Sequence, residues 1–287
     1  MSAVEAGVRD VTSRPRRLST RFLRSELGLV FGRRRNQVGL VVLIGPPVLI
    51  SIAVKSSASR PGRGAPDFFS SITENGLFVA LAALTIEMAL FLPLAVAAVS
   101  GDSVAGEAST GTLRYLLTVP VDRLRLLAVK YAGIVAFAFA ATLVVTAAGV
   151  LMGVVLFGGG NLTLLSGSQI GFGAGLLRVL AAALYLGCGF AALGAVGLFV
   201  STLTEQPIGA TLATVIFSAA SLIADSIPQV SWVHPYLITH NWTAFGDLFR
   251  SPIAWTGIEH GLYSAAGYIV VFFLAAWARF STKDVTS

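Results

Sequence analysis

The chain of 287 residues is 55% hydrophobic and only 12% charged, with a mean hydropathy of +0.80, whereas soluble domains carry about 25% charged residues. That balance excludes an ordinary water-soluble globule, and spans of roughly 20 apolar residues each leave little chain for a separate nucleotide-binding domain. The net charge of +6 does not point to nucleic acid, because 9 of the 20 Lys and Arg residues fall in the first 37 positions, where in a membrane protein they bear on orientation.

The first 37 residues hold no apolar run long enough for the core of a signal peptide. Within them Leu18, Phe22, Leu23, Leu27 and Val30 fall close to one helical face, with Arg17, Arg21, Arg24 and Glu26 largely on others, so residues 18–33 are predicted to form an amphipathic helix lying in the membrane interface. Six apolar stretches follow, at residues 38–54, 76–100, 126–157, 176–203, 208–224 and 258–280. They are continuous rather than alternating and longer than the ~10 residues of a barrel strand, so an all-α membrane protein of six transmembrane helices is expected. Pro46 and Pro47 should kink the first span. The predicted organisation is a basic amino-terminal segment (1–37), a six-helix transmembrane domain (38–280) and a short tail (281–287). One set of connections carries 15 Lys and Arg residues and the other 5, which places both termini in the cytoplasm. The excess of 17 Arg over 3 Lys, with abundant Ala, Gly and Val, suits a GC-rich bacterial coding sequence, hence a bacterial cytoplasmic membrane.

The connections differ in kind. Residues 56–67 and the glycines 158, 159 and 160 read as flexible external loops. The last external connection, 225–255, spreads Trp232, Tyr236, Trp242, Phe245, Phe249 and Trp255 among few charges, and short helices at the outer interface are expected there between the fifth and sixth spans. Glu87 is the acidic residue in the middle of a span, followed by Pro93; intramembrane charges face a protein interior or a wet cavity, which makes Glu87 a translocation-path candidate. Gly187, Ala191 and Ala195 recur every four residues and allow close helix approach, within the chain or between copies.

Other patterns carry no chemistry. Leu165-Ser166-Gly167-Ser168-Gln169 differs at one position from the signature of ATP-binding-cassette ATPases, yet no G-x-x-x-x-G-K-[ST] phosphate loop accompanies it, so it reads as coincidence. The single cysteine, Cys188, lies in an apolar run and offers neither a disulfide framework nor a cysteine metal site. His234, His240 and His260, with Asp225, Asp247 and Glu259, show no spacing that puts two ligands on one helix face, and no metal site is expected.

The informative segment joins the second and third spans. Leu113, Leu116 and Leu117 share a helical face, Thr110 or Thr112 can cap its start, and Pro120 ends it by lacking a donor and restricting Val119. Glu107, Arg114 and Arg123 are then offered to a soluble partner. Glu107, the triplet Gly111-Thr112-Leu113, Leu117, Pro120, Arg123 and Lys130 stand at the spacing of the cytoplasmic segment of type-2 ATP-binding-cassette (ABC) exporter permeases, which this stretch resembles. The amphipathic amino-terminal segment with Ser25-Glu26-Leu27, the six spans and the closing Phe280-Ser281-Thr282-Lys283-Asp284-Val285 are similar to that family too.

The resemblance implies that this segment is a coupling helix docking on a separate ATPase subunit, with Glu107, Gly111, Thr112, Leu113, Arg114, Leu116, Leu117, Pro120 and Arg123 as coupling residues. It implies a 2:2 assembly of permeases and ATPases in lipid, with ATP and Mg in the partner and neither a cofactor nor a catalytic residue in this chain. An apolar chain with few charges fits an amphiphilic cargo, a drug, antibiotic or lipid-like molecule, moving outward. Polysaccharide or ions as cargo, and proton-coupled secondary transport with Glu87 as relay, are the alternatives.

Overall fold

In hydrocarbon a peptide group finds no partner except another peptide group, and a continuous apolar run meets this constraint by closing its hydrogen bonds within one helix. The computed structural model describes residues 20–58, 75–111 and 123–282. Among them nine α-helices follow in chain order: α1 (Thr20–Gly32), α2 (Arg34–Val42), α3 (Gly45–Ala58), α4 (Leu77–Glu87), α5 (Phe91–Ser109), α6 (Arg123–Phe157), α7 (Phe172–Leu203), α8 (Pro207–Asp225) and α9 (Trp255–Thr282). The run Arg34–Ser56, formed by α2 and α3, and the helices α6, α7, α8 and α9 are each long and apolar enough to cross a membrane; α4 and α5 bring the number to six if that bent pair is one span. The all-α reading holds for the described residues, apart from one short antiparallel hairpin, β1 (Leu162–Thr163) with β2 (Gln169–Ile170), in a connection.

Helical structure is interrupted in two spans, each near proline, and the second is sharply bent. Pro46 and Pro47 lack the N–H groups that would bond the carbonyls of Val42 and Leu43, and α2 gives way to α3 just ahead of them. The helices α4 and α5 meet at 57°, with Leu90 out of helical conformation between them. Pro93 sits in the first turn of α5, where a missing donor is harmless.

The centre of the bundle is α7. Its apolar window is 67% buried, against 11% for α9, because α5, α6, α8 and α9 all pack on it. The predicted small-residue stripe is used within the chain: Ala191 and Ala195 are buried, and a side chain at Gly187 would stand 2.5 Å from the Phe139 ring. A second close approach lies between α4 and α6. There a Cβ at Gly149 would be 2.5 Å from the Cα of Ala80, and the backbones of Gly76 and Gly153 touch, the small-x-x-x-small spacing that lets helices meet without side chains between them.

At the far end the connections are stitched together. Leu165-Ser166-Gly167-Ser168-Gln169 forms the hairpin turn and the start of β2, with Gly167 at φ 82°. Leu165 N donates to Phe249 O (2.8 Å), Ser251 N to Ser166 Oγ (3.0 Å), and Arg178 Nη1 to the carbonyls of Leu248 (2.8 Å) and Arg250 (3.0 Å). The glycine loop read as flexible is tied as well, with Gly158 O accepting from Gly76 N (3.3 Å) and Gly160 O from Asn75 Nδ2 (3.0 Å); residues 59–67 of the other loop lie outside the described residues. Connection 225–255, where short helices were expected, forms short 3-10 helices at Pro228–Val230, His234–Tyr236 and Trp242–Phe249. Its aromatics divide: Trp242, Phe245 and Phe249 are buried, with Trp242 4.8 Å from Phe190 between ring centroids, while Trp232, Tyr236 and Trp255 are exposed.

Because Gly76 and Gly153 leave no space for a Cβ, Gly153→Val should destabilise the chain by about 1–3 kcal/mol or more through overpacking. Gly39→Ala, with nothing within 4 Å and inside a helix, should be neutral or stabilise by up to about 1 kcal/mol. Thermal unfolding in lipid nanodiscs checks the pair, and equal stability of the two variants would refute backbone contact between α4 and α6.

Candidate functional site

One end of the bundle carries a set of charges drawn inward. The amphipathic helix α1 lies along α6, where Gly133 makes room for it: a Cβ there would be 3.2 Å from Val30 Cγ2 and 3.4 Å from Glu26 Cγ. Beside that contact Lys130, only 2% exposed, places its Nζ 2.5 Å from Glu107 Oε1 and 3.5 Å from Glu26 Oε1. One ammonium on α6 thus joins α1 to the last turns of α5. A cation this well covered is tolerable only with its counter-charges in place, since desolvation of an unpaired ion costs several kcal/mol.

A second charge cluster lies alongside. Asp102 of α5 pairs with Arg33, and with Arg35 Nη2 at 3.1 Å, which fixes the corner between α1 and α2. Gly106, one turn further along α5, keeps that site open, because a Cβ there would come within 2.5 Å of Asp102 Oδ1. The corner satisfies its own carbonyls: Asn36 Nδ2 donates to Val30 O (2.8 Å) and Gln37 Nε2 to Phe31 O (2.9 Å), groups that a helix end otherwise leaves unpaired. From the other side Ser201 of α7 enters α5, accepting from Val104 N (3.1 Å) and Ala105 N (2.9 Å) and donating to Gly101 O (2.7 Å). Arg123, at the start of α6, donates through Nη1 to Phe280 O (3.1 Å) and Ser281 O (2.9 Å), capping α9 with a cation at its carbonyl end.

These contacts hold both ends of the segment singled out in the sequence. Helix α5 stops at Thr110, and Gly111 takes the left-handed conformation (φ 72°) that ends a helix without strain. Thr112, Leu113, Arg114, Leu116, Leu117 and Pro120 lie outside the described residues. Glu107 and Arg123, expected to be available to a partner, are half-buried and make contacts within the chain, to Lys130 and to the end of α9. Between α1, α5 and α6 runs a cleft of about 910 Å³ lined among others by Phe22, Glu26, Arg34, Glu107, Thr110 and Lys130. The partnership of Asp102 with Arg33 and Arg35 was missed from sequence; its signal was an acidic residue at the end of a span followed by Gly106 one helical turn on.

Two further features lie away from the charges. Glu87, the last residue of α4, has 0% exposure, and neither carboxylate oxygen has a hydrogen-bond partner among the described residues. The side chain expected to face a protein interior or a wet cavity is covered by its own chain, beside the break between α4 and α5. Near the far end a cavity of about 800 Å³ is lined by Phe217, Tyr236, His240, His260, Tyr268 and Phe272, among others. Tyr268 and Phe272 stack at 5.7 Å, and Phe217 meets both edge-on, so the lining is aromatic with imidazole and hydroxyl groups interspersed.

Fold and composition define an all-α protein with helices of membrane-spanning length. Over residues 49–286 the chain matches DUF2705, described as a protein of unknown function, and it belongs to that family. The match takes in Glu107, Lys130 and both cavity-lining helices α8 and α9, and begins after α1. No curated protein matches the chain.

Removing the shared cation should be the most damaging single change at this end. Lys130→Met leaves Glu26 and Glu107 buried side by side, with an expected loss of about 3–5 kcal/mol; adding Glu26→Gln and Glu107→Gln should restore most of it, a coupling that unfolding of the single and combined variants measures. Wild-type stability of Lys130→Met would overturn the role of the brace.

Proposed function

We propose that the chain is the permease subunit of an ATP-driven exporter, working with a separate ATPase subunit in an assembly of two permeases and two ATPases. The observation that supports it best is the Glu26–Lys130–Glu107 brace. Glu26 of the amino-terminal segment and Glu107 of the connecting segment, both part of the resemblance to type-2 ABC exporter permeases, converge on the ammonium of Lys130. A partner pushing on residues 112–122 would act on a segment whose flanks are clamped, on one side to α1 and α7 through α5 and on the other to α9 through Arg123. Such a clamp transmits displacement to the spans rather than absorbing it. Coupling then requires two arrangements of the spans that differ in affinity for the ATP-bound partner.

In this reading the charged end faces the cytoplasm, as the excess of basic residues on those connections favours, together with both termini. Thr112, Leu113, Arg114, Leu116, Leu117 and Pro120 form the docking surface, while Glu107 and Arg123 position it. ATP and Mg are held by the partner. The cargo is amphiphilic: the aromatic cavity near the far end has a volume of about 800 Å³, within the range of pockets for drug-sized molecules, and lies along α9, the span least covered by the chain itself.

A second reading, proton-coupled transport through Glu87, is favoured by one observation, a carboxyl group without a hydrogen-bond partner among the described residues beside a broken span. Purification of the tagged chain from its native membrane, followed by transport of a fluorescent amphiphile in proteoliposomes, separates the two. An ATPase with a phosphate-binding loop should co-purify in equal amount, ATP should drive export, and Leu116→Asp should reduce co-purification at least tenfold. Transport by the chain alone under a pH gradient, lost in Glu87→Gln, would replace the exporter reading with the proton-coupled one.

A further inference from the structure

Three of the six acidic and histidine side chains of the last long connection and its flanking helix ends come together. Asp225 ends α8, His234 opens a 3-10 turn and His240 lies in the next turn; the ligand atoms of these three all fall within 4.8 Å of one another. We propose that Asp225, His234 and His240 bind a divalent transition-metal ion of the zinc class at the end of the bundle opposite the charged brace. The inference is independent of the transport reading, since it rests only on these side chains and their frame.

The hydrogen bonds fix what each ring offers. His234 Nε2 lies 3.2 Å from Ile227 O. A carbonyl oxygen only accepts, so Nε2 carries a proton, and in the neutral ring the Nδ1 lone pair faces Asp225 Oδ1, 3.9 Å away. A lone pair and a carboxylate oxygen directed at the same space are mutually repulsive until a cation lies between them. A ring nitrogen free for the metal, with the other N–H held by a backbone carbonyl, is the usual arrangement of a metal-bound histidine. His240 Nδ1 reaches the same oxygen at 2.6 Å, a hydrogen bond whose proton the metal would replace.

Four-coordinate zinc with nitrogen and oxygen bonds of 2.0–2.1 Å sets its donors about 3.3 Å apart. The distances of 2.6 and 3.9 Å lie on either side of that value, within reach of small ring rotations and of the second carboxylate oxygen. Two histidines and one carboxylate suit zinc rather than calcium or magnesium, which take oxygen ligands, and three protein ligands leave a fourth position for water.

The donors also stand on a frame built by other bonds. Ser221, one helical turn before Asp225 on α8, pairs with Thr239 at 2.7 Å in a buried contact, and Thr239 immediately precedes His240. Tyr268 of α9 donates to Tyr236 O at 2.7 Å, holding the turn that begins with His234. All three donors remain partly open to solvent, and His240 also lines the aromatic cavity, so an ion would sit at that cavity's edge. The other candidates read from sequence are not in this group: Asp247 pairs with Arg250 at 2.9 Å, and Glu259 and His260 stand on α9 outside the cluster.

The test uses the full chain without a histidine tag, in nanodiscs, stripped with a chelator and titrated with Zn²⁺ alone and then with Co²⁺. One ion per chain at micromolar or tighter affinity is expected, with Co²⁺ giving the visible absorption of a four-coordinate site. Asp225→Asn, His234→Ala and His240→Ala should each weaken binding at least tenfold, whereas Asp247→Asn should not. Because His240→Ala also removes a hydrogen bond, His240→Cys, which keeps a donor, should retain binding, and Zn²⁺ should raise the unfolding temperature of this variant and the parent. No saturable uptake, or equal uptake by the triple variant Asp225→Asn/His234→Ala/His240→Ala, would overturn the proposal and leave a proton as the cation these groups share.

Discussion

Lys130 lies among apolar helices with its ammonium between two carboxylates, and much of the charged end follows from keeping that ion compensated. To meet Glu26, α1 must lie against α6, which Gly133 allows; to meet Glu107, the last turns of α5 must reach the same level. The corner after α1 is then fixed by Asp102 with Arg33 and Arg35, and the far side of α5 by Ser201. Each charge has a partner from a different helix, so the helices cannot slide past one another without exposing an ion to a low dielectric. Apolar contacts between helices in lipid are non-directional and tolerate sliding; this brace does not.

The middle of the bundle relies on the opposite principle, the absence of side chains. Where Gly149 and Gly153 face α4, and where Gly187 faces Phe139, helices meet at distances that a single added carbon would prevent. Such contacts supply dispersion where lipid offers no hydrophobic gradient. Against this close packing the break between α4 and α5 stands out, with Glu87 fully covered beside it. The broken span is where the bundle departs from rigid rods, and it begins one helix away from the brace.

The far end is built from turns rather than helices, and its coherence comes from backbone hydrogen bonds between connections distant in sequence: Leu165 to Phe249, Arg178 to Leu248 and Arg250, Tyr268 to Tyr236. These bonds hold the aromatic cavity and the Asp225, His234 and His240 group on one frame.

What the sequence alone determined is what depends on near neighbours along the chain. Hydropathy over ~20 residues located the spans, the 3.6-residue period located α1, and Pro46 and Pro47 marked the interruption of the first span, since each of these is set within a few turns of one helix; the bend between α4 and α5 was not anticipated. Positions of charge at one end were legible too, through Glu26, Glu107, Arg123 and Lys130. The tertiary structure decided their partners. It paired Glu107 with Lys130 and Arg123 with the end of α9, supplied Asp102 with arginines from 67 and 69 residues away, buried Trp242 while leaving Trp232 exposed, and gathered one carboxylate and two imidazoles from the end of α8 and two later turns. Pairings of this kind depend on how the helices cross and where the turns fold back, and no local period in the sequence encodes that.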